Sequence, residues 1–173
     1  WTDHGFHIGE KENWEKFALW DQTTRVPLFI HAPGVSKDGV KTRYPVTLTD
    51  LYPTLCELAG LPVPKQCDGK SLVSQLRNPE KRGKSLSLTS FQFQGDSAPS
   101  HAVSDRRYRL IQYPDGFEEL YDLEKDSHEF HNLSEDLNFS EVKKRLSLGI
   151  PSKSAAMVGI PQSSPYNLIR HFR

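Results

Sequence analysis

Asp3, His4, His7 and Lys16 are the residues whose types and spacing can do chemistry together. They lie in one polar stretch, Asp3-His4-Gly5-Phe6-His7-Ile8-Gly9-Glu10-Lys11-Glu12-Asn13-Trp14-Glu15-Lys16. A carboxylate binds a hard divalent cation through oxygen. An adjacent imidazole adds a ligand or donates to an anion. Gly5 and Gly9 allow tight backbone turns, and Lys16 is a mobile cation that can swing toward an anionic substrate. Carboxylate, imidazole and ammonium together suit a bound oxyanion. A solvated loop with scattered charges accounts for the same types at the same spacing, since an Asp-His pair is common and no complete metal ligand set is visible.

Chemistry of this kind needs a scaffold. Trp1-Thr2 reads as the end of a strand, and in open α/β sheets ligands bind outside the carboxyl ends of strands. Residues 26–32, Val-Pro-Leu-Phe-Ile-His-Ala, form an apolar run that reads as a buried strand of a parallel sheet, ended by Pro33-Gly34. Thr49-Asp50 caps a helix running to about Ala59, with Leu51, Leu55 and Leu58 on one face, Pro53 in the first turn and Gly60 closing it. A second short helix is expected over 69–78. The character changes after about residue 84. Stretches 85–93, 101–104, 108–113 and 119–122 alternate like strands, and Asp115-Gly116 is a hairpin signal. A final helix over 141–148 and a Pro- and Ser-rich extended tail over 149–173 complete the chain.

Outside the opening stretch the signals are weaker. His101 begins a strand; it can approach a substrate or serve as a satisfied sheet histidine. Arg106, Arg107 and Arg109 form a local basic patch, for which a solvated face is the simpler account. Cys56 and Cys67 are able to pair in an oxidising compartment, or to stand as a buried thiol and a loop thiol. His128 and His131 lie in a polar loop with no ligand spacing, and Asn132 and Asn138 fit the glycosylation pattern. The 173 residues carry 22 basic and 22 acidic side chains, which excludes the basic excess of a nucleic-acid partner. Hydrophobic residues make up 36%, and no apolar run is long enough to span a membrane. The chain opens on Trp1 and its single Met is Met157, so it reads as the C-terminal piece of something longer.

The strings themselves say more than the residue types. Asp3-His4-Gly5-Phe6-His7-Ile8-Gly9-Glu10-Lys11, then Trp14-x-Lys16 and Thr24-Arg25-Val26-Pro27-Leu28, resemble the type I sulfatases, most closely their iduronate-2-sulfatase-like branch. The resemblance continues through residues 49–55, Ala59-Gly60-Leu61, residues 68–72, residues 119–123, and Asp126, Glu129 and Asn132-Leu133. It covers residues 1 to about 135, with separate motifs in the family's order.

The resemblance implies an alkaline-phosphatase-like fold. Residues 1–84 would close the α/β catalytic domain with its parallel sheet, residues 85–148 would form a smaller α+β subdomain with an antiparallel sheet, and 149–173 would be a tail. It also implies hydrolysis of sulfate esters, on a sulfated sugar or glycosaminoglycan-like substrate, by a formylglycine made from a Cys or Ser in Cys-x-Pro-x-Arg. One calcium ion (Ca2+) would be held by carboxylates from two regions. By position Asp3 matches a calcium carboxylate, His4 the residue beside it that meets the metal or the substrate oxygens, and Lys16 the lysine that reaches the sulfate. His7 and His101 are further candidates for substrate contact. Glu10 is expected to tie the loop to its own backbone, and Trp14 to pack under it.

Neither cysteine stands in Cys-x-Pro-x-Arg, so the nucleophile and the first acidic pair of the metal site are expected in a missing N-terminal half. On that reading the chain is inactive alone, and the host compartment is secreted, periplasmic or lysosomal. Phosphonate or phosphate monoester hydrolysis, and a truncated inactive binding module, are the alternatives.

Overall fold

The computed structural model describes residues 1–80, 86–92 and 96–153. Its centre is a four-stranded antiparallel meander: β3 (Ser87–Phe91), β4 (Ser100–Ser104), β5 (Tyr108–Gln112) and β6 (Glu118–Asp122), in that spatial order. The β5–β6 turn is the one expected. Tyr113 N–H donates to the Phe117 carbonyl at 2.9 Å, and Gly116 takes φ +88°, where a Cβ would be strained.

Strand alternation gives the sheet two apolar faces. Val103, Leu110 and Leu120 lie on one face under Leu146 of helix α4 (Ser140–Ser147). Ala102, Ile111 and Tyr121 lie on the other, packed against Leu19 and Trp20 from the N-terminal segment. The expected antiparallel sheet with its packed helix therefore forms, and the opening stretch is bound to its second face. Ile150 continues the packing on the α4 side. The tail from residue 154 and the proposed break near residue 84 lie outside the described residues.

The N-terminal segment is thinly structured. A two-residue hairpin pairs β1 (His7–Ile8) with β2 (Trp14–Glu15), and one turn of helix follows, α1 (Asp21–Thr24). Helix α2 (Leu51–Leu58) is entered through a capping box in which Thr47 N–H donates to Asp50 Oδ2 at 3.0 Å. The other oxygen of Asp50 accepts from Lys70 N–H at 2.8 Å. Thr54 Oγ accepts from Leu72 N–H at 2.9 Å, so the buried polar side of α2 clamps the chain leading into α3 (Val73–Arg77).

Two expectations fail here. Neither residues 1–2 nor residues 26–32 form a strand, and the parallel-sheet portion is not in this chain. A strand requires a neighbour for its N–H and C=O groups, and among the described residues none pairs with residues 26–32. The segment runs unpaired, with Phe29 82% exposed. The leucine face of α2 is only partly covered, Leu55 being exposed and Leu51 and Leu58 half-buried, while Pro53, Thr54 and Cys56 are buried.

Candidate active site

Asp3, His4 and Lys16 come together. His4 Nε2 lies 3.6 Å from Asp3 Oδ2 and 3.0 Å from Lys16 Nζ. His4 Nδ1 is 2.7 Å from the Gly5 carbonyl, a group that only accepts. Nδ1 therefore carries the proton, and Nε2 offers its lone pair to the Lys16 ammonium. Backbone hydrogen bonds, with a smaller one from the Thr2 hydroxyl, hold the Asp3 carboxyl below the usual carboxylate range.

Close backbone contact places His4. Gly5 N–H donates to the Thr23 carbonyl at 2.9 Å, and a Cβ on Gly5 would sit 1.9 Å from the Gln22 carbonyl oxygen. Only glycine lets the loop dock this tightly on α1. Lys16 follows β2 directly, so its position depends on the hairpin. The Glu10 carboxylate accepts from Ile8 N–H at 2.8 Å, as expected of a loop tie. Trp14 lies beside Gly9, exposed over most of its surface instead of packed beneath the loop.

The other two candidates point elsewhere. His7 is 1% exposed and meets the edge of Trp20 at 5.6 Å between ring centroids. Neither ring nitrogen has a hydrogen-bond partner, although Glu10 Oε2 lies 3.7 Å from Nδ1. Burial holds its pKa down, so it is a neutral ring facing the interior. His101 is buried and 2.8 Å from Ser90 Oγ. It alternates with Ala102, which places it on the α4 face, opposite the face that carries the Lys16 loop.

A buried polar network binds the loop to the sheet. The Glu119 carboxylate accepts from Trp20 Nε1 at 2.7 Å, Tyr121 O–H at 2.6 Å and Tyr113 O–H at 2.9 Å. Arg109, 4% exposed, donates to the Leu19 carbonyl at 2.8 Å, Ser104 Oγ at 2.6 Å and Thr24 Oγ1 at 2.6 Å. Glu129 accepts from Asp21 N–H at 2.7 Å, with Arg109 Nε 3.5 Å from its second oxygen. Lys11 donates to Tyr121 Oη at 3.0 Å and to the Glu129 carbonyl. Burial depresses the Lys11 pKa against the opposing pull of Glu119, Glu129 and Asp126. The tyrosines beside Glu119 have raised pKa values from burial and its negative charge.

The solvated basic patch is thus corrected. Arg109 is interior and Arg107 makes a bidentate pair with Asp122 at 2.9 and 2.6 Å, while Arg106 lies over the Tyr44 ring. A signal for Arg109 was present: it alternates with Ile111 onto the core face, where a guanidinium requires buried acceptors. Asn132 is also committed, accepting from Leu120 N–H and Ser134 N–H at 2.9 Å each. Cys56 and Cys67 are free thiols.

The donors fit part of a metal site. The Asp3 carboxylate is largely exposed and is the oxygen ligand a hard cation takes. His4 Nε2, 3.6 Å from Asp3 Oδ2, would be a nitrogen donor only once Lys16 leaves it, and imidazole is a better ligand for softer metals. Among the described residues no group of three or more His, Cys, Asp or Glu could hold an ion. No helix among them is long and apolar enough to cross a membrane.

Residues 9–155 match the family described as N-sulphoglucosamine sulphohydrolase, C-terminal. The chain belongs to the type I sulfatases and corresponds to their C-terminal part. It is 36% identical over 155 residues to a sulfatase of Formosa agariphila, covering 90% of this chain and 29% of that protein. It resembles the structure of a 2-O GAG sulfatase at 30% identity and TM-score 0.73, over 85% of this chain and 34% of the other. It also resembles a phosphonate monoester hydrolase from Silicibacter pomeroyi at 26% identity and TM-score 0.71, over 85% and 32%. The chain thus spans about a third of the length of these relatives.

Proposed function

We propose that the full protein hydrolyses sulfate esters of a sulfated sugar or glycosaminoglycan-like saccharide, and that this chain supplies Asp3, His4 and Lys16 to its active site. The observation that carries this reading is the convergence of those three side chains, in a chain of this family. Lys16 would exchange its contact with His4 for the sulfate oxygens, where a fixed positive charge stabilises the charge that develops in the transition state. Its departure frees His4 Nε2 to accept a proton or meet the substrate. Asp3 would be one carboxylate ligand of a divalent cation, calcium by family resemblance, whose chemistry is to neutralise oxyanion charge. The remaining ligands and the formylglycine nucleophile would come from elsewhere in the protein. Phe6, Ile8 and Trp14, exposed around this loop, are available to pack on that region.

The likeness to a phosphonate monoester hydrolase gives a second reading, because sulfate and phosphonate esters differ mainly in charge. Paired aryl sulfate and aryl phosphonate substrates, assayed on the full protein with calcium and with zinc or manganese, separate the two. Sulfate release should dominate with calcium. Lys16→Met and Asp3→Asn should each lower kcat/KM by about a hundredfold or more. Full turnover after joint replacement of Asp3 and His4 by alanine would overturn the assignment. Absence of turnover on either ester would leave a binding module.

A further inference from the structure

We propose that Lys11 is a positioning residue for this site: held between Trp20 and Tyr121 and bonded to the Glu129 carbonyl, it fixes the turn that sets Lys16 against His4. The turn joining β1 to β2 is unusual. Lys11 and Glu12 in the turn take φ of 55° and 56°, and Glu15 at the end of β2 takes 77°, a left-handed conformation that side-chain-bearing residues rarely adopt. Such backbone persists only where its surroundings over-determine it. Local hydrogen bonds supply part of that, Gly9 N–H to the Asn13 carbonyl at 3.1 Å and Asn13 N–H to the Glu10 carbonyl at 3.0 Å. They close the turn on itself but do not fix it in space.

Lys11 supplies the external fix. Its ammonium lies 4.4 Å from the Trp20 ring centroid and 4.6 Å from that of Tyr121, and donates to Tyr121 Oη at 3.0 Å. The Tyr121 hydroxyl donates its own hydrogen bond to Glu119, which also accepts from Trp20. Both aromatic walls are therefore locked by one carboxylate, and a half-buried cation between them has a defined place. Lys16 begins one residue past Glu15, so any swing of the turn moves its ammonium away from His4 Nε2, 3.0 Å distant. His4 is held separately, through Gly5 on α1. Freeing Lys11 should displace one partner of the pair and leave the other in place.

The kinetic half of the test rests on the proposed hydrolysis; the other half does not. Lys11→Met and Lys11→Arg are compared with the native residue in the full protein, by steady-state kinetics on the sulfate ester and by amide hydrogen exchange. In Lys11→Met, exchange at Gly9 and Asn13 should rise about tenfold or more while Leu110 and Leu120 in the sheet stay unchanged. The kcat should fall about ten- to a hundredfold with KM moving less, as expected of a displaced catalytic group. Lys11→Arg, whose guanidinium can stack on the same rings and donate, should restore most of both. Unchanged exchange in the turn, a loosened turn with unchanged kcat, or equal loosening of the sheet would each overturn the inference. If the native protein released no sulfate, the hydrolysis reading would fall, and exchange alone would decide the role of Lys11.

Discussion

The Glu129 carboxyl lies 3.5 Å from the Arg109 guanidinium, yet burial outweighs that attraction and lifts its pKa to about 7. The direction fixes how it acts on stability. Between pH 4.5, the ordinary value, and about 7, the unfolded chain has lost this proton while the folded chain keeps it. The folded state then binds more protons, so this group's contribution is fully present on the acid side and declines as pH rises through the window. Glu129→Gln removes the titration while keeping an acceptor for Asp21 N–H. The stability difference between the two proteins should shift in favour of Gln by up to about 3 kcal/mol across the window. Denaturant melts on either side of it measure this. A difference independent of pH would mean that Glu129 is ionised throughout. The neighbouring buried charge, Arg109, carries several hydrogen bonds with it, and its truncation to Met should destabilise by about 3–5 kcal/mol through the acceptors left unpaired.

At the scale of elements, α1 and the β1–β2 hairpin together aim the site. Gly5→Ala tests the α1 side, since the new methyl would overlap the Gln22 carbonyl oxygen and push the loop off the helix. The expected result is a loss of about 1–3 kcal/mol in stability from overpacking and a fall in kcat/KM of about a hundredfold as His4 moves. Retained activity would show that His4 tolerates the shift. The sequence made some elements legible and concealed others for physical reasons. The meander was readable because period-2 alternation and Asp115-Gly116 are local signals; β3 and β5 fall within the expected stretches, and β4 and β6 each begin one residue earlier. Residues 26–32 misled because an apolar run is equally a strand and a segment awaiting a neighbour. Asp3, His4 and Lys16 were each singled out by a recognisable string, while their approach around His4 is seen only in the fold. The inward turn of His7, the α4-side placement of His101 and the Lys11–Tyr121 contact depend on pairings between residues up to 110 positions apart, which local pattern does not encode.

The molecule as a whole divides into a part that satisfies itself and a part that does not. The sheet covers one face with Leu146 and the other with Leu19 and Trp20, and its interior leucines are fully buried. The first 63 residues expose Trp1 at 70%, Ile8 at 67%, Trp14 at 65%, Phe29 at 82% and Leu55 at 61%, and around the sheet Leu137 and Leu148 are exposed as well, but only the N-terminal residues lack a four-stranded sheet of their own beneath them. Burying one such side chain fully contributes about 1.5–3 kcal/mol, so several left in water forgo a large share of a domain's net stability. They also offer apolar surface to other chains, Phe29 in a segment that pairs with no strand among the described residues. Residues 1–173 expressed alone should therefore be poorly soluble and self-associating, while a form beginning near residue 86 loses the Leu19 and Trp20 cover and should fare no better. Co-expression with the remainder of the protein should recover a soluble complex. Sedimentation and a thermal melt of the isolated chain decide the matter, because a soluble monomer with one sharp cooperative transition would mean that these exposed side chains need no partner.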